Sequence, residues 1–450
     1  MKQQTSEKLL IEIEKALAEK NLDFLKNALA QAHPQDIAEC INHASAEDAV
    51  ILLNQLSGPR YFEVFEYINL ETQVQLIGQL NRKQTIKILE ELSSDDRVDL
   101  LDRLPPKTVE TLLPLMAQAE REETKKLLQY GEDTAGSIMT TEYATLPIHD
   151  TASEALQHLQ KIAPQSETIY YIYIVDQSRV LKGIISLKDL VLAYPYQRIE
   201  DIMNRDFISA FVDEDQEVVA RRLAKYDLMA IPVIDHDHKL VGIVTVDDAM
   251  DVIKEEQTED VHRLGALEPI ETPYLKTKFW DLAKNRILWL LILFFGVSFT
   301  GTALKHFSQT IQSAVALVFF VPMIVSSGGN SGSQSVTLIT RALAVGDVKA
   351  KDLFPVVLRE ISMGAVLGLC LGVMGFLYAF VLGTNFSVSL AVGLALFGVV
   401  LCGSSIGGIL PIILKKLNLD PAIMSSPLVA SIVDVIGVLI YFNVARVLLS

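Results

Sequence analysis

Acidic residues almost vanish from this 450-residue chain beyond Pro273. Of 55 Asp and Glu, only Asp281, Asp347, Asp352, Glu360, Asp420 and Asp434 lie there. Cysteine is scarce too. Cys40, Cys370 and Cys402 are odd in number, show no metal-ligand spacing and fall partly in apolar stretches, so no disulfide framework is implied. No nucleophile–base set or catalytic metal motif is visible, which argues against an enzyme. The net charge of −16 argues against nucleic acid as a partner and in favour of cations. The N-terminus, MKQQTSEKLLIEIEKALAEK, lacks the apolar core of a signal peptide and is expected in the cytoplasm.

What replaces charge beyond Pro273 is long apolar sequence. Eighteen uncharged residues separate Arg286 from Lys305, enough for one membrane span. Phe307 to Thr340 forms a second uncharged stretch containing a Gly-Gly break. Ile361 to Leu414 is long enough for two more, with Gly383-Thr384-Asn385 as the expected turn, and Pro427–Leu449 makes a fifth. Lys276, Lys278, Lys284 and Arg286 precede span one. Arg341, Lys349, Lys351 and Arg359 separate spans two and three, and Lys415 and Lys416 separate spans four and five. This alternation places the N-terminal half inside and, after five spans, the C-terminus outside. Trp289 and Tyr441 suit interfacial or helix-packing positions.

Asp434 lies midway along the fifth stretch, PLVASIVDVIGVLIYFNVARVLL. A charge at that depth costs a few kcal/mol or more, and such residues face a bundle interior or an aqueous path. A passing cation is the simplest use for it; a protonated or hydrogen-bonded structural carboxyl is the competing reading. The second stretch holds VPMIVSSGGNSGSQSVTLITRAL, Val321 to Leu343. Its Gly328, Gly329 and Gly332 loosen a helix, while Ser326, Ser327, Asn330, Ser331, Ser333, Gln334 and Ser335 supply oxygens and amides. Irregular polar backbone at membrane depth belongs beside protein or a watery cavity; a small-residue packing face is the alternative. Ala430, Gly437 and Val438 flank Asp434 at helical spacing and permit close approach of another helix, including one from a second subunit.

The soluble half carries a repeat. MTTEYATLPIHDTASEAL from Met139 aligns with MNRDFISAFVDEDQEVVA from Met203, and IYIVDQSRVLKGIISLKDL from Ile172 aligns with IPVIDHDHKLVGIVTVDDA from Ile231. Each unit reads helix, strand, polar turn, Gly-bearing strand, helix. This resembles a tandem pair of CBS domains. The resemblance implies an adenine-nucleotide cleft, with Ser186…Asp189 and Thr245…Asp248 at its ribose-contacting ends; a scaffold without ligand is the alternative. Asp235-His236-Asp237-His238 occupies the hairpin turn and reads as a solvated turn, not a zinc site. Residues 1–130 show helical periodicity with short breaks, Ser94-Asp95 and Pro105-Pro106 opening two of the helices. Asp95 and Asp99 share a face at i, i+4.

Between the repeat and the apolar half lies VDDAMDVIKEEQTEDVHRLGALEP. On a helix, Asp247, Asp251, Glu255 and Glu259 form one stripe, and Asp248, Glu256 and Asp260 an adjoining one. Each i, i+4 like-charge pair costs about 0.2–0.5 kcal/mol, so the helix favours a neutralising partner. Hard oxygen ligands for divalent ions are one reading and a solvated acidic face the other. Bound divalents would draw this helix toward Asp95 and Asp99.

Together these features resemble the MgtE family of magnesium channels, with local strings VPMIVSSGGNSGSQS, DPAIMSSPLVASIVDVIG and TVDDAMDVIKEEQTED. The resemblance implies a pore carboxylate at Asp434 and an inner-mouth aspartate at Asp420, with Asn330 beside the pore. It implies regulatory Mg²⁺ ligands at Glu63, Asp95, Asp99, Glu217, Asp227, Asp248, Asp251, Glu256, Glu259 and Asp260. It implies ATP contacts at Tyr171, Lys188 and Asp189, and a homodimer whose pore is closed by the cytosolic domains at high internal Mg²⁺. Two positions depart from the family's pattern: Ser426 stands where Asn is frequent, and Ser333 where an amide is common. Both shorten side-chain reach near the pore.

The expected architecture is multidomain. A helical array (1–130) precedes two α/β CBS domains (131–200 and 201–254), a connecting or plug helix (255–272) and a five-helix membrane domain (273–450). The expected function is a gated Mg²⁺ channel of the plasma membrane. An ion-coupled carrier of Mg²⁺, Co²⁺ or Mn²⁺ is the alternative, disfavoured by the lack of a visible second intramembrane carboxylate or histidine.

Overall fold

Short helices with polar caps build the N-terminal region of the computed structural model, which describes residues 3–270, 274–275 and 277–449. From Gln3–Ala18 to Gln118–Leu127 the chain turns about every ten residues. Asn21, Ser45, Asn69 and Asn81 each accept a backbone N–H of the helix that follows, satisfying donors otherwise orphaned at its start. The apolar stripes meet in a core containing Leu25, Ile37, Leu53, Phe65, Ile88 and Leu101. The helix opened by Pro106 matches expectation. Its neighbour begins at Ser94 itself, the residue expected as its cap, and Ser93 takes the N-cap position. Ser94 is buried instead, accepting Thr141 N at 2.8 Å.

The repeat folds as two like sheets. β1 (Tyr143–Pro147) pairs parallel with β2 (Thr168–Val175), which pairs antiparallel with β3 (Leu181–Ser186). β4 (Ala210–Phe211), β5 (Ala230–Ile234) and β6 (Leu240–Thr245) repeat the order. Gly183 opposes Ile174, and Gly242 opposes Val233, at equivalent registers. A Cβ at Gly183 would lie 2.9 Å from Asn204 O, and one at Gly242 3.0 Å from Thr140 O. Each glycine therefore lets the segment entering a repeat cross the central hairpin of the other. The Asp235–His238 stretch is the expected turn, Asp235 Oδ1 accepting Asp237 N and Lys239 N at 2.9 Å each.

Two compact units emerge, Met1–Lys254 and Glu255–Ser450. The acidic segment forms one helix, Val246–Leu264, that starts in the first and ends in the second. Among the described residues of the second unit, five helical segments are long and apolar enough to cross a membrane: Phe279–His306, Val315–Ala344, Ala350–Val381, Phe386–Lys416 and Ser426–Leu449. Gly383, at φ +82°, makes the expected turn between spans three and four, and Asn385 caps span four by accepting Val388 N.

Span two departs from expectation. The helix Val321–Ala344 runs unbroken through Gly328-Gly329. The irregular backbone lies earlier, where a short helix Ser308–Ser313 gives way to a 3₁₀ stretch, Val315–Phe320. The glycines serve approach between helices: a Cβ at Gly403 of span four would stand 2.5 Å from Gly328 O, and one at Gly332 3.0 Å from Val429 Cγ1 of span five. Spans three and four pack as closely, Gly368 against Phe397 O (2.8 Å) and Gly372 against Gly393 O (2.7 Å). Tyr441 is fully buried and donates to Leu317 O at 2.9 Å, while Trp289 donates to Glu268 at 3.1 Å.

Candidate functional site

Asp434 sits eight residues into the fifth span, about 12 Å along the helix from Ser426 at 1.5 Å per residue. Span two runs antiparallel beside it. A Cβ at Gly329 would stand 3.3 Å from Asp434 Oδ1 and from Ala430 Cβ, so a methyl there would press on the carboxylate. Asp434 is half-buried. Toward the Ser426 end, Ser333 donates to Ser426 O at 3.2 Å, and the hydroxyls of Thr337 and Ser426 lie 3.2 Å apart. Asn330, exposed, donates to Ser326 Oγ at 3.4 Å. Ser326, Asn330, Ser333 and Thr337 recur at three- and four-residue spacing and therefore line one face of span two. That face continues to Asp434. The result is a carboxylate with a row of neutral oxygens and amides leading to it, a donor set suited to a hard cation that retains water.

The expected solitude of Asp434 needs correction. Glu360 belongs to the helix Leu353–Val381 in span three, where it is half-buried. Ser335 Oγ donates to Glu360 Oε2 at 2.6 Å, and a Cβ at Gly408 would stand 2.5 Å from Glu360 Cγ. One turn away, Ser331 and Ser404 hydroxyls lie 2.7 Å apart, both buried. A second polar face of span two thus points toward spans three and four. In the sequence, Glu360 stands beside Arg359 at the edge of an uncharged run and reads as loop.

Asp420 precedes the fifth span and its Oδ1 accepts Ala422 N at 2.8 Å. Its other oxygen pairs with Arg263, whose guanidinium also pairs with Glu259. In the sequence, only the spacing of four between Glu259 and Arg263 hints at this pair.

In the first unit the acidic helix starts against the N-terminal array. Asp95, Asp96, Asp247 and Asp248 lie close enough to oppose one another's ionisation. Asp95 and Asp248 are held above the usual carboxylate range, chiefly by burial and then by neighbouring carboxylates. Burial and the nearby Asp95 push Asp96 up to about 7, and burial does the same to Glu142, offset in part by Arg97. Asp95 Oδ1 is buried and accepts no hydrogen bond. Glu63 and Asp99 border the cluster through their effects on Glu66 and Asp96. Among the described residues no group of three or more His, Cys, Asp or Glu is set to hold a metal ion. Magnesium asks for less, one or two carboxylates with waters completing its shell, and the hard oxygens here fit it.

The remaining expected ligands are dispersed. Glu217 pairs with Arg221 on the helix Gln216–Lys225. Asp227 is exposed at φ +53° after that helix, and Asp251 is exposed on the acidic helix. Glu256 and Asp260 are half-buried further along it, in the second unit. At the expected nucleotide site, Ser186 donates to Asp189 at 2.6 Å and accepts Asp189 N at 3.0 Å, so the Ser-x-x-Asp end caps a helix. Thr245 and Asp248 pair likewise. Lys188 is exposed and Tyr171 half-buried beside Ser186.

Comparison with known proteins covers the same regions. Residues 321–444 match the family described as divalent cation transporter, 32–133 the MgtE intracellular N domain, and 135–196 and 199–255 the CBS domain. The magnesium transporter MgtE of Thermus thermophilus is 40% identical over 448 residues, 99% of each chain. That of Bacillus subtilis is 35% identical over 73% of each. Among solved structures, the cytosolic domain of the Mg²⁺ channel MgtE in complex with ATP is 38% identical, with TM-score 0.52. The match takes in 54% of this chain and 99% of that one.

Proposed function

The chain belongs to the MgtE family of divalent cation transporters, and from that premise we propose that it carries Mg²⁺ inward as a gated channel of the plasma membrane. The observation that carries the reading is Asp434, a half-buried carboxylate midway along the fifth span, packed beside Gly329 of span two. Magnesium dehydrates reluctantly, so a single carboxylate with neutral oxygens from Asn330, Ser333 and Ser426 suits an ion that keeps its waters. A second subunit would bring a second Asp434 to the same ion, in a homodimer with the pathway on its two-fold axis. Lys and Arg alternate so that the N-terminal domains face the cytoplasm and the C-terminus the outside.

Regulation would rest on the crowded carboxylates. Asp95 and Asp248 repel each other while empty-handed, and cytosolic Mg²⁺ would relieve that repulsion and fix the start of the acidic helix against the N-terminal array. Glu63, Asp99, Glu217, Asp227, Asp251, Glu256, Glu259 and Asp260 would complete the sensor as the helix shifts, and Asp420 would guard the inner mouth. ATP at Tyr171, Lys188 and Asp189 would add a second input; the paired Ser186 and Asp189 side chains offer acceptors to ribose hydroxyls.

Asp434→Ala is expected to abolish Mg²⁺ flux into liposomes while purified protein keeps its melting temperature and elution volume; wild-type flux in that variant would refute the pathway. Glu360 gives the ion-coupled carrier a specific footing, because it supplies a second carboxylate among the spans. Flux that stops when pH and Na⁺ gradients are collapsed, with the Mg²⁺ gradient held, would favour the carrier over the channel.

A further inference from the structure

Arg263 is the last cation of the acidic helix Val246–Leu264, whose only other basic residues are Lys254 and His262. Its fork reaches two carboxylates on different elements: Nη2 pairs with Glu259 on its own helix, and Nη1 with Asp420 in the segment leading to the fifth span. Asp260 adds to the negative potential around it. All three ionic side chains are about two-thirds buried, at 37%, 34% and 32% exposure, so the pairing is screened less than a surface bridge. With Ala422 N on Asp420 Oδ1, both oxygens of Asp420 are engaged. A divalent cation approaching Asp420 or Glu259 meets carboxylates already neutralised by a cation that cannot diffuse away.

We propose that Arg263 is a tethered competitor for divalent cations at the Asp420–Glu259 pair, and that it sets the internal Mg²⁺ concentration at which the protein responds. A guanidinium suits this part: it binds carboxylates in a planar fork and cannot be titrated off. Mg²⁺ must displace it to gain the pair, so the response is shifted to higher concentration than two free carboxylates would give. When Arg263 is displaced, the link between Glu259 on the acidic helix and Asp420 passes from a guanidinium to the ion, so occupancy of the pair and the hold on that helix change together. The proposal deepens the reading of the protein as a Mg²⁺ pathway controlled from the cytosol and rests on it.

The test uses full-length protein in liposomes, with Mg²⁺ flux followed while internal Mg²⁺ is varied, and proteinase K protection of residues 246–264 followed over the same titration. Arg263→Ala is expected to move both half-points to about tenfold lower Mg²⁺, the equivalent of roughly 1.4 kcal/mol. Arg263→Lys keeps the charge but not the fork and should move them by less than half as much on a logarithmic scale. Adding Asp420→Asn to Arg263→Ala should cancel the gain. Half-points of Arg263→Ala that coincide with wild type overturn the proposal. Should that variant fail to assemble, Arg263→Met, which keeps the aliphatic stem, answers the same question. A wild type with no Mg²⁺-dependent inhibition or protection sinks the functional reading itself, an outcome distinct from unshifted half-points.

Discussion

Single atoms decide much at the candidate pathway. Gly403 meets Gly328 backbone where a Cβ would stand 2.5 Å from its oxygen, and neither backbone can retreat without parting spans two and four. Gly403→Ala should therefore destabilise the membrane unit, by about 1–3 kcal/mol on the scale of overpacked cores, and lower its melting temperature in detergent. Gly301, with nothing within 4 Å of a Cβ, should accept alanine without change. Gly329→Ala tests the intermediate case: its methyl would reach 3.3 Å from Asp434 Oδ1 and should depress Mg²⁺ flux more than it depresses stability. At this scale Asp434 was legible from the sequence because one charge in an uncharged span is conspicuous. Glu360 was not, because an adjoining Arg359 disguised it as loop. Arg263 was hidden for another reason: its partner Asp420 lies 157 residues away, a pairing that no local pattern announces.

Elements show a different balance. Helical and strand periods located the array, both repeats and all five spans, since each rests on local apolar patterning. Span two differs from its sequence pattern because glycine reads as a helix breaker in water, whereas between packed helices it admits a neighbouring backbone. The acidic helix yields a prediction of its own. Asp96 and Glu142 have pKa values raised to about 7, and Asp95 and Asp248 are raised too. Carboxylates raised in the folded state bind more protons there than in the unfolded state near neutral pH. Stability from that source is full below the unfolded carboxylate range, near pH 4, and is lost as pH rises through about 7. With EDTA present, thermal unfolding of the cytosolic unit should shift to lower temperature between pH 5 and 8. Millimolar Mg²⁺ should flatten that slope by neutralising the carboxylates without protons, and its binding near pH 7 should release protons measurable by buffer-dependent calorimetry. A melting temperature that rises with pH in EDTA would contradict the assignment.

At the scale of the whole molecule, two units share one helix that begins in the first and ends in the second. Its carboxylates Asp247 and Asp248 belong to the cluster around Asp95, while Glu259 is held through Arg263 to the segment entering span five. The organisation of the chain was legible in broad outline, whereas the ion pair that engages the end of this helix was not. Asp434 carries a consequence that reaches beyond biophysics. In a two-subunit pathway, half-buried Asp434 would leave part of the ion's shell to the second chain's carboxylate. Function of that kind would be inherited by the assembly and not by the gene copy. When wild-type and Asp434→Ala chains are made together in equal amounts, two-subunit assemblies that need both carboxylates should retain roughly a quarter of full Mg²⁺ uptake, not half. A defective allele would then be dominant, and uptake that falls only to half would assign each pathway to a single chain.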